Sequence, residues 1–290
     1  MTYVLLPSSE VKCMRNRRIV LVLVTFLVSS AVASPLLSLL QVTTGADPEV
    51  LRFPTFATAV GAAVVWLIWR KTFTFPPQPV RSEFLAVVLS VFLAAMTAAV
   101  LFALNATEGD LWPPLDSSSV PISLAVILFL QLLGAVGEEV GWRGVVQPLL
   151  ENRFSVVWSG IFTGLLFGLG HFYVLFAAGP IVYLTFAVAA IGLSVTLAVL
   201  TAGRSLTSRV LVASFFHWLV NSAMLVFFSG GDESLLWTIN TAIATVVVAI
   251  AAVLLLRRVG QRNTAKNSSV GEPRGTATEP APTFRVEPTP

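Results

Sequence analysis

Charge is what this sequence has least of. Of its 290 residues 11% are charged and 56% hydrophobic, against about 25% charged in a soluble domain. That deficit excludes a soluble globular enzyme. From Phe154 to Gly203 there is no Lys, Arg, Asp or Glu at all. Cysteine is reduced to Cys13, beside Lys12 in a polar N-terminal lead. A single thiol excludes an internal disulfide, and in that lead it reads as inert or as a lipidation site, not as a nucleophile. The net charge of +3 does not point to nucleic acid, because the basic residues sit in short segments between apolar runs.

Those apolar runs reach or approach the ~20 residues that span a bilayer. The first, from Ile19 to about Val42, is too long for the core of a signal peptide and is expected to remain as a span. Further spans are expected at Phe53–Trp69, at Phe84–Leu104, and from Pro121 to about Gln147, the last ended by Pro148. The uncharged stretch Phe154–Gly203 holds two spans divided at Gly179-Pro180. Ser208–Phe228 and Ser234–Leu256 complete eight. The expected fold class is therefore all-α, a polytopic transmembrane helical bundle. Its parts are a basic N-terminal segment (1–18), three spans within 19–120, a core of four spans (121–228), an eighth span (229–258) and a Pro-, Thr-, Ser- and Glu-rich disordered tail (259–290).

Charge gives the orientation. With the N-terminus in the cytoplasm and the spans alternating, every Lys and Arg except Arg52 falls on the cytoplasmic side. Asp47, Glu49, Glu108, Asp110, Asp116, Asp232 and Glu233 fall outside. This is the positive-inside bias, and it predicts a multi-pass protein of the cell membrane with both termini cytoplasmic. No internal or inverted repeat is visible, which counts against a transporter.

Polar chemistry interrupts three spans. The fourth carries Gly137-Glu138-Glu139-Val140-Gly141-Trp142-Arg143-Gly144, the fifth Phe167-Gly168-Leu169-Gly170-His171, and the seventh His217-Trp218-Leu219-Val220-Asn221. Ionisable groups at membrane depth are costly unless partnered, and they read by default as functional. Both histidines of the chain lie in this set. Glu139 and Arg143 are four apart and share a helix face, so an ion pair is expected between them. Glu138 sits about 100° around the helix, without that partner and free to face a cavity. His217 and Asn221 also share a face. Gly134, Gly137, Gly141 and Gly144, and Gly160, Gly164 and Gly168, allow close helix approach, expected to bring Glu138 near His171.

A carboxylate, two imidazoles and an amide suffice for water-mediated acyl hydrolysis. The carboxylate acts as general base, one imidazole orients the water, and the other imidazole with the amide donates to an oxyanion. Two His and one Glu are equally a catalytic zinc set, although the His-Glu-x-x-His helix signature is absent. Each feature alone has a structural reading: an ion pair, an interhelical hydrogen bond, packing glycines. Their joint occurrence on three spans is what points to a site.

The patterns Glu138-Glu139-x-x-x-Arg143, Phe167-x-x-x-His171 and His217-x-x-x-Asn221 resemble, in order, the three motifs of the CPBP family. These are the CAAX-processing and bacteriocin-processing intramembrane proteases, related to the Rce1-type prenyl endopeptidases and also called the Abi family. The resemblance covers about Pro121 to Phe228. It implies an Rce1-like core in which Glu138 activates water with help from His171, His217 and Asn221 stabilise the oxyanion, and Glu139 and Arg143 hold the site together. It implies a peptide or membrane-protein substrate, with a prenylated CAAX peptide as the eukaryotic case. The family's metalloprotease label would put zinc on Glu138, His171 and His217; a metal-free, glutamate-dependent mechanism is the reading favoured here. The alternative is a non-proteolytic scaffold or bacteriocin-immunity protein of the same fold. Helix counting places His171 deep along its span, so the fifth membrane segment is expected to start near Gly160. Cleavage is expected near the cytoplasmic face, from a cavity opening to the cytoplasm.

Overall fold

A computed structural model describes residues 8–48, 51–69, 83–109, 114–115, 122–228 and 234–270. Residues 70–82, the outer-loop acids Glu49, Asp110, Asp116, Asp232 and Glu233, and the tail beyond Val270 lie outside the described residues. Every regular element among the described residues is helical: α1 (Ser8–Thr44), a 3-10 turn (Phe53–Phe56), α2 (Ala57–Trp69), α3 (Glu83–Thr107), α4 (Leu124–Gly141), a π-turn (Trp142–Val146), α5 (Gln147–Glu151), α6 (Val156–Gly170), α7 (Phe172–Thr201), α8 (Leu206–Phe227) and α9 (Leu235–Val270). The chain divides into two compact units, Met1–Val253 and Leu254–Pro290. The site described below lies wholly in the first. α9 runs past residue 258, where the eighth span was expected to end, and remains helical to Val270.

Six helical stretches among the described residues are long and apolar enough to cross a membrane. Phe53–Trp69 and Val156–Gly170 are shorter apolar helices. Large apolar side chains face outward along them, including Leu67, Phe84, Phe129 and Leu184, as hydrocarbon surroundings require. The chain is a multi-pass, all-α membrane protein.

One local expectation is corrected. Pro148 does not end its helix: α4, the π-turn and α5 run on to Glu151. In the π-turn the Gln147 N–H bonds to the Trp142 carbonyl, five residues back. Pro148 then falls in the first turn of α5, where its missing N–H and fixed φ are tolerated. The fifth apolar helix, α6, begins at Val156 with Ser155 as N-cap. It stops at Gly170, because His171 (φ −85°, ψ 51°) leaves the helical region. α6 is thus a short helix that ends at the histidine. The break at Gly179-Pro180 is present as well: Gly179 has φ 88° and ψ 173° within α7, a conformation open to glycine.

Small residues set the packing. Gly160, Gly164 and Gly168 of α6 lie against Ala198, Ile191 and Ala187 of α7, and a Cβ at any of them would come within 3 Å of that helix. The α4 stripe faces elsewhere. Gly137 abuts Phe56, and Gly141 abuts Thr58. The two stripes therefore do not bring α4 against α6, as was expected. They clamp α4 to α2 and α6 to α7.

Candidate active site

Glu139 is fully buried, and Arg143 is 2% exposed. The guanidinium Nη1 lies 3.0 Å from Glu139 Oε2 and 3.2 Å from Oε1. The expected ion pair is therefore present. Arg143 Nη2 also donates to the Ser194 hydroxyl of α7 at 3.0 Å. Glu139 has a second partner that spacing did not reveal: His217 Nδ1 of α8 lies 2.8 Å from its Oε1. A buried carboxylate needs cationic or donor partners on its lone pairs, and here α4 and α8 each supply one.

His217 stands between the two glutamates. Its Nε2 is 3.8 Å from Glu138 Oε2, outside direct hydrogen-bond reach. An ionised carboxylate only accepts, so the Nδ1–H of His217 donates to Glu139, and in the neutral ring Nε2 keeps its lone pair on the Glu138 side. His171 is fixed in a similar way. Its Nδ1 lies 2.8 Å from the Phe167 carbonyl, which the end of α6 leaves without a helical partner. Nδ1–H therefore donates there, and Nε2 is again the available nitrogen. Both imidazoles are thus held by one edge, which fixes tautomer and orientation.

Aromatic rings join the elements. The Phe167 ring lies 4.6 Å from His171 and 6.1 Å from His217, and 5.6 Å from Trp142 in the π-turn. Phe167 therefore separates and spaces the two imidazoles. The Glu138 side chain is 13% exposed where that of Glu139 is fully buried. Its backbone is held by Thr58 of α2, whose hydroxyl donates to the Gly137 carbonyl at 3.1 Å and lies 3.4 Å from the Glu138 carbonyl. Asn221, one turn beyond His217 on α8, is partly exposed. Thr58 and Ser194 were not singled out from the sequence. Neither carries a local signal, since both act across helices distant in the chain.

Burial changes abruptly at the level of the site. From Gly141 to Leu150 every residue is buried. On α8 the residues from Val212 to Ser214, with Phe216 and His217, are buried, whereas 221–226 are only partly covered. On α6 Phe167 and Gly168 are buried, and Leu169 to Tyr173 are not. The closed side is tied by polar contacts: Arg209 Nη2 to Glu151 Oε2 at 2.6 Å, and Gln147 to Glu151 and Thr201. The cover is lost on the side of the α1–α2 link, where the Gln41 amide holds Leu51 and Phe53. Counting residues along each helix measured depth but could not show which helices stop at the site.

Among the described residues no three His, Cys, Asp or Glu side chains converge as metal donors. The set Glu138, His171 and His217 does not assemble into a zinc site here. No step of the mechanism runs through a metal.

Residues 120–223 match the family described as type II CAAX prenyl endopeptidase Rce1-like. Over 103 residues the chain is 33% identical to the CAAX prenyl protease 2 of Methanococcus maripaludis. That similarity covers 33% of this chain and 38% of the relative, so the chain matches well under half of that protein's length. The matched segment contains all seven residues that carried the motif resemblance.

Proposed function

From an Rce1-like domain spanning residues 120–223, we propose that this protein is an intramembrane endopeptidase of CAAX type, hydrolysing a peptide bond with a water activated by Glu138 and His171. The observation that carries the reading is the unequal treatment of adjacent carboxylates. Glu139 is paired with both Arg143 and His217, whereas among the described residues Glu138 has no ion-pair contact closer than 3.8 Å and is partly exposed.

In this reading Glu138 takes the proton of the attacking water, and His171 Nε2 accepts the second hydrogen bond that orients it. The tetrahedral oxyanion is met by His217 Nε2 and the Asn221 amide. Donation from Nε2 requires the doubly protonated ring, since Nδ1–H is already committed to Glu139. Glu139 then serves two cations at once, which explains why the second glutamate is buried and the first is not. The proton held by Glu138 passes to the leaving amine. The catalyst consists of this chain's own side chains, and preorganised donors of this kind contribute about 3–4 kcal/mol each to barrier lowering.

The substrate is a peptide or membrane protein reaching the site from the α1–α2 side. The charge bias of the loops assigns that side to the exterior, with both termini in the cytoplasm. The deciding experiment is a membrane-peptide cleavage screen of wild type against Glu138→Ala, with and without chelator. Cleavage by wild type in chelator and none by the variant supports the metal-free mechanism. Equal cleavage by both proteins rejects it. A cellular phenotype that survives simultaneous replacement of Glu138, His171 and His217 would make the protein a scaffold or immunity factor instead.

A further inference from the structure

We infer that Tyr183 is a positioning residue for His171: its hydroxyl locks the end of α6, so that the imidazole keeps Nε2 turned toward the attacking water. This deepens the endopeptidase reading above and rests on it. A helix leaves its last four carbonyls without helical partners, and α6 ends at Gly170. His171 caps two of them. Its Nδ1–H meets the Phe167 carbonyl at 2.8 Å, and its backbone N–H meets the Gly168 carbonyl at 3.1 Å. The next carbonyl, that of Leu169, is capped from farther along the chain: Tyr183 donates its hydroxyl there at 2.5 Å. The Tyr183 side chain is buried, and a buried tyrosine O–H needs such a partner.

The contact closes a neck. Leu169 and Tyr183 are 14 residues apart, roughly 21 Å along an unbroken helix. They meet because the chain turns twice, at His171 (φ −85°, ψ 51°) and at Gly179 (φ 88°, ψ 173°). Between the turns, Val174 packs with Val182 and Tyr183, and Phe172 stacks on the Tyr183 ring at 5.9 Å. Phe186 shares a helix face with Tyr183, and its ring lies 5.0 Å from His171. His171 therefore stands at the base of a loop that one hydroxyl pins. Without that hydroxyl the Leu169 carbonyl loses its cap and the last turn of α6 frays. The Phe167 carbonyl, two residues earlier in the same turn, then no longer fixes the tautomer and direction of the imidazole. Tyr183 lies outside the three sequence motifs and acts on His171 through the α6 backbone.

The test uses Tyr183→Phe, which removes the hydroxyl and keeps the ring. Misplacing a reacting group by about 1 Å costs on the order of 10²-fold in rate, so kcat is expected to fall at least about tenfold with KM unchanged. Tm in detergent is expected to fall by no more than about 4 °C. The chain has two histidines, so ring 15N spectra of histidine-labelled protein read each one separately. Wild-type His171 is expected as the single Nδ1–H tautomer. Tyr183→Phe should mix the two tautomers at His171 and leave the His217 signals in place. Gly179→Ala strains the positive-φ turn that returns Tyr183 to α6, and is expected to produce the same mixing. Unchanged His171 signals in Tyr183→Phe overturn the assignment, and so does wild-type kcat in that variant. Tautomer mixing confined to His171 in both variants, with no peptide cleaved by wild type, keeps Tyr183 as the clamp on His171 and sinks the protease reading.

Discussion

His217 Nδ1 and Glu139 Oε1 meet at 2.8 Å, and this contact joins α8 to α4 at the depth of the candidate catalytic carboxylate. It makes Glu139 the shared counter-charge of Arg143 and His217. Glu139→Gln removes that charge from a buried cluster, and breaking a buried pair costs about 3–5 kcal/mol. A Tm fall of roughly 10 °C in detergent is expected, with activity lost in parallel. A variant that melts at the wild-type temperature would show that the cluster is not what holds the two helices.

Glu138→Gln should behave differently. The side chain is partly exposed and has no ion-pair contact closer than 3.8 Å, so Tm is expected to move by no more than about 2 °C. Loss of a general base costs on the order of 10²–10⁴ in rate, and cleavage should fall by at least a hundredfold. The same split, silent melting with abolished cleavage, is expected for Glu138→Ala. His171→Ala should abolish cleavage with a somewhat larger Tm change, since it also removes the partner of the Phe167 carbonyl.

Gly141 of α4 and Gly144 of the π-turn give a paired test of packing. A Cβ at Gly141 would lie 2.6 Å from the Thr58 Cβ and 2.8 Å from the Thr58 carbonyl. Gly141→Ala must push α2 away, at about 1–3 kcal/mol, and with it the hydroxyl that holds Gly137 and Glu138. A Cβ at Gly144 meets only Val210 Cγ2 at 3.7 Å, an ordinary contact. Gly144→Ala is expected to retain stability and activity. Thermal melting and cleavage rates of the two variants, measured side by side, check this.

Access can be mapped with thiols. In a Cys13→Ser background, cysteine placed at Ala46 in the α1–α2 link should react with a membrane-impermeant maleimide in intact cells. Cysteine at Arg153, on the closed side, should react only after the membrane is opened. Labelling in the reverse order would put the N-terminus outside and the mouth of the site in the cytoplasm.

Helix-local features were legible in the sequence. The i,i+4 spacing of Glu139 and Arg143 gave their ion pair, the 100° offset gave Glu138 its separate surroundings, and hydrophobic run lengths gave six of the eight expected spans as helices long enough to cross a membrane. Features made between helices were not. Nothing in the spacing places His217 against Glu139, because that contact depends on how α8 is rotated against α4. Thr58 and Ser194 reach the site from α2 and α7 as single hydroxyls in apolar segments. The end of α6 at His171 was missed because Gly170 is one of several glycines in the span, and only the structure shows which one coincides with a helix end. Pro148 misled because a proline stop assumes α-helical bonding on both sides.

The π-turn at Trp142–Val146 carries a mechanical meaning of its own. One extra residue in a helix turns everything beyond it by about 100°. Upstream, Glu138 and Glu139 are aimed at His217; downstream, Gln147 and Glu151 are aimed at Thr201 and Arg209. A single uninterrupted α-helix could satisfy one of these azimuths but not both. The inserted residue therefore acts as a phase shifter between a catalytic seam and a structural one. Deleting a residue within Trp142–Val146 should leave a regular helix whose two ends no longer agree about which way to face.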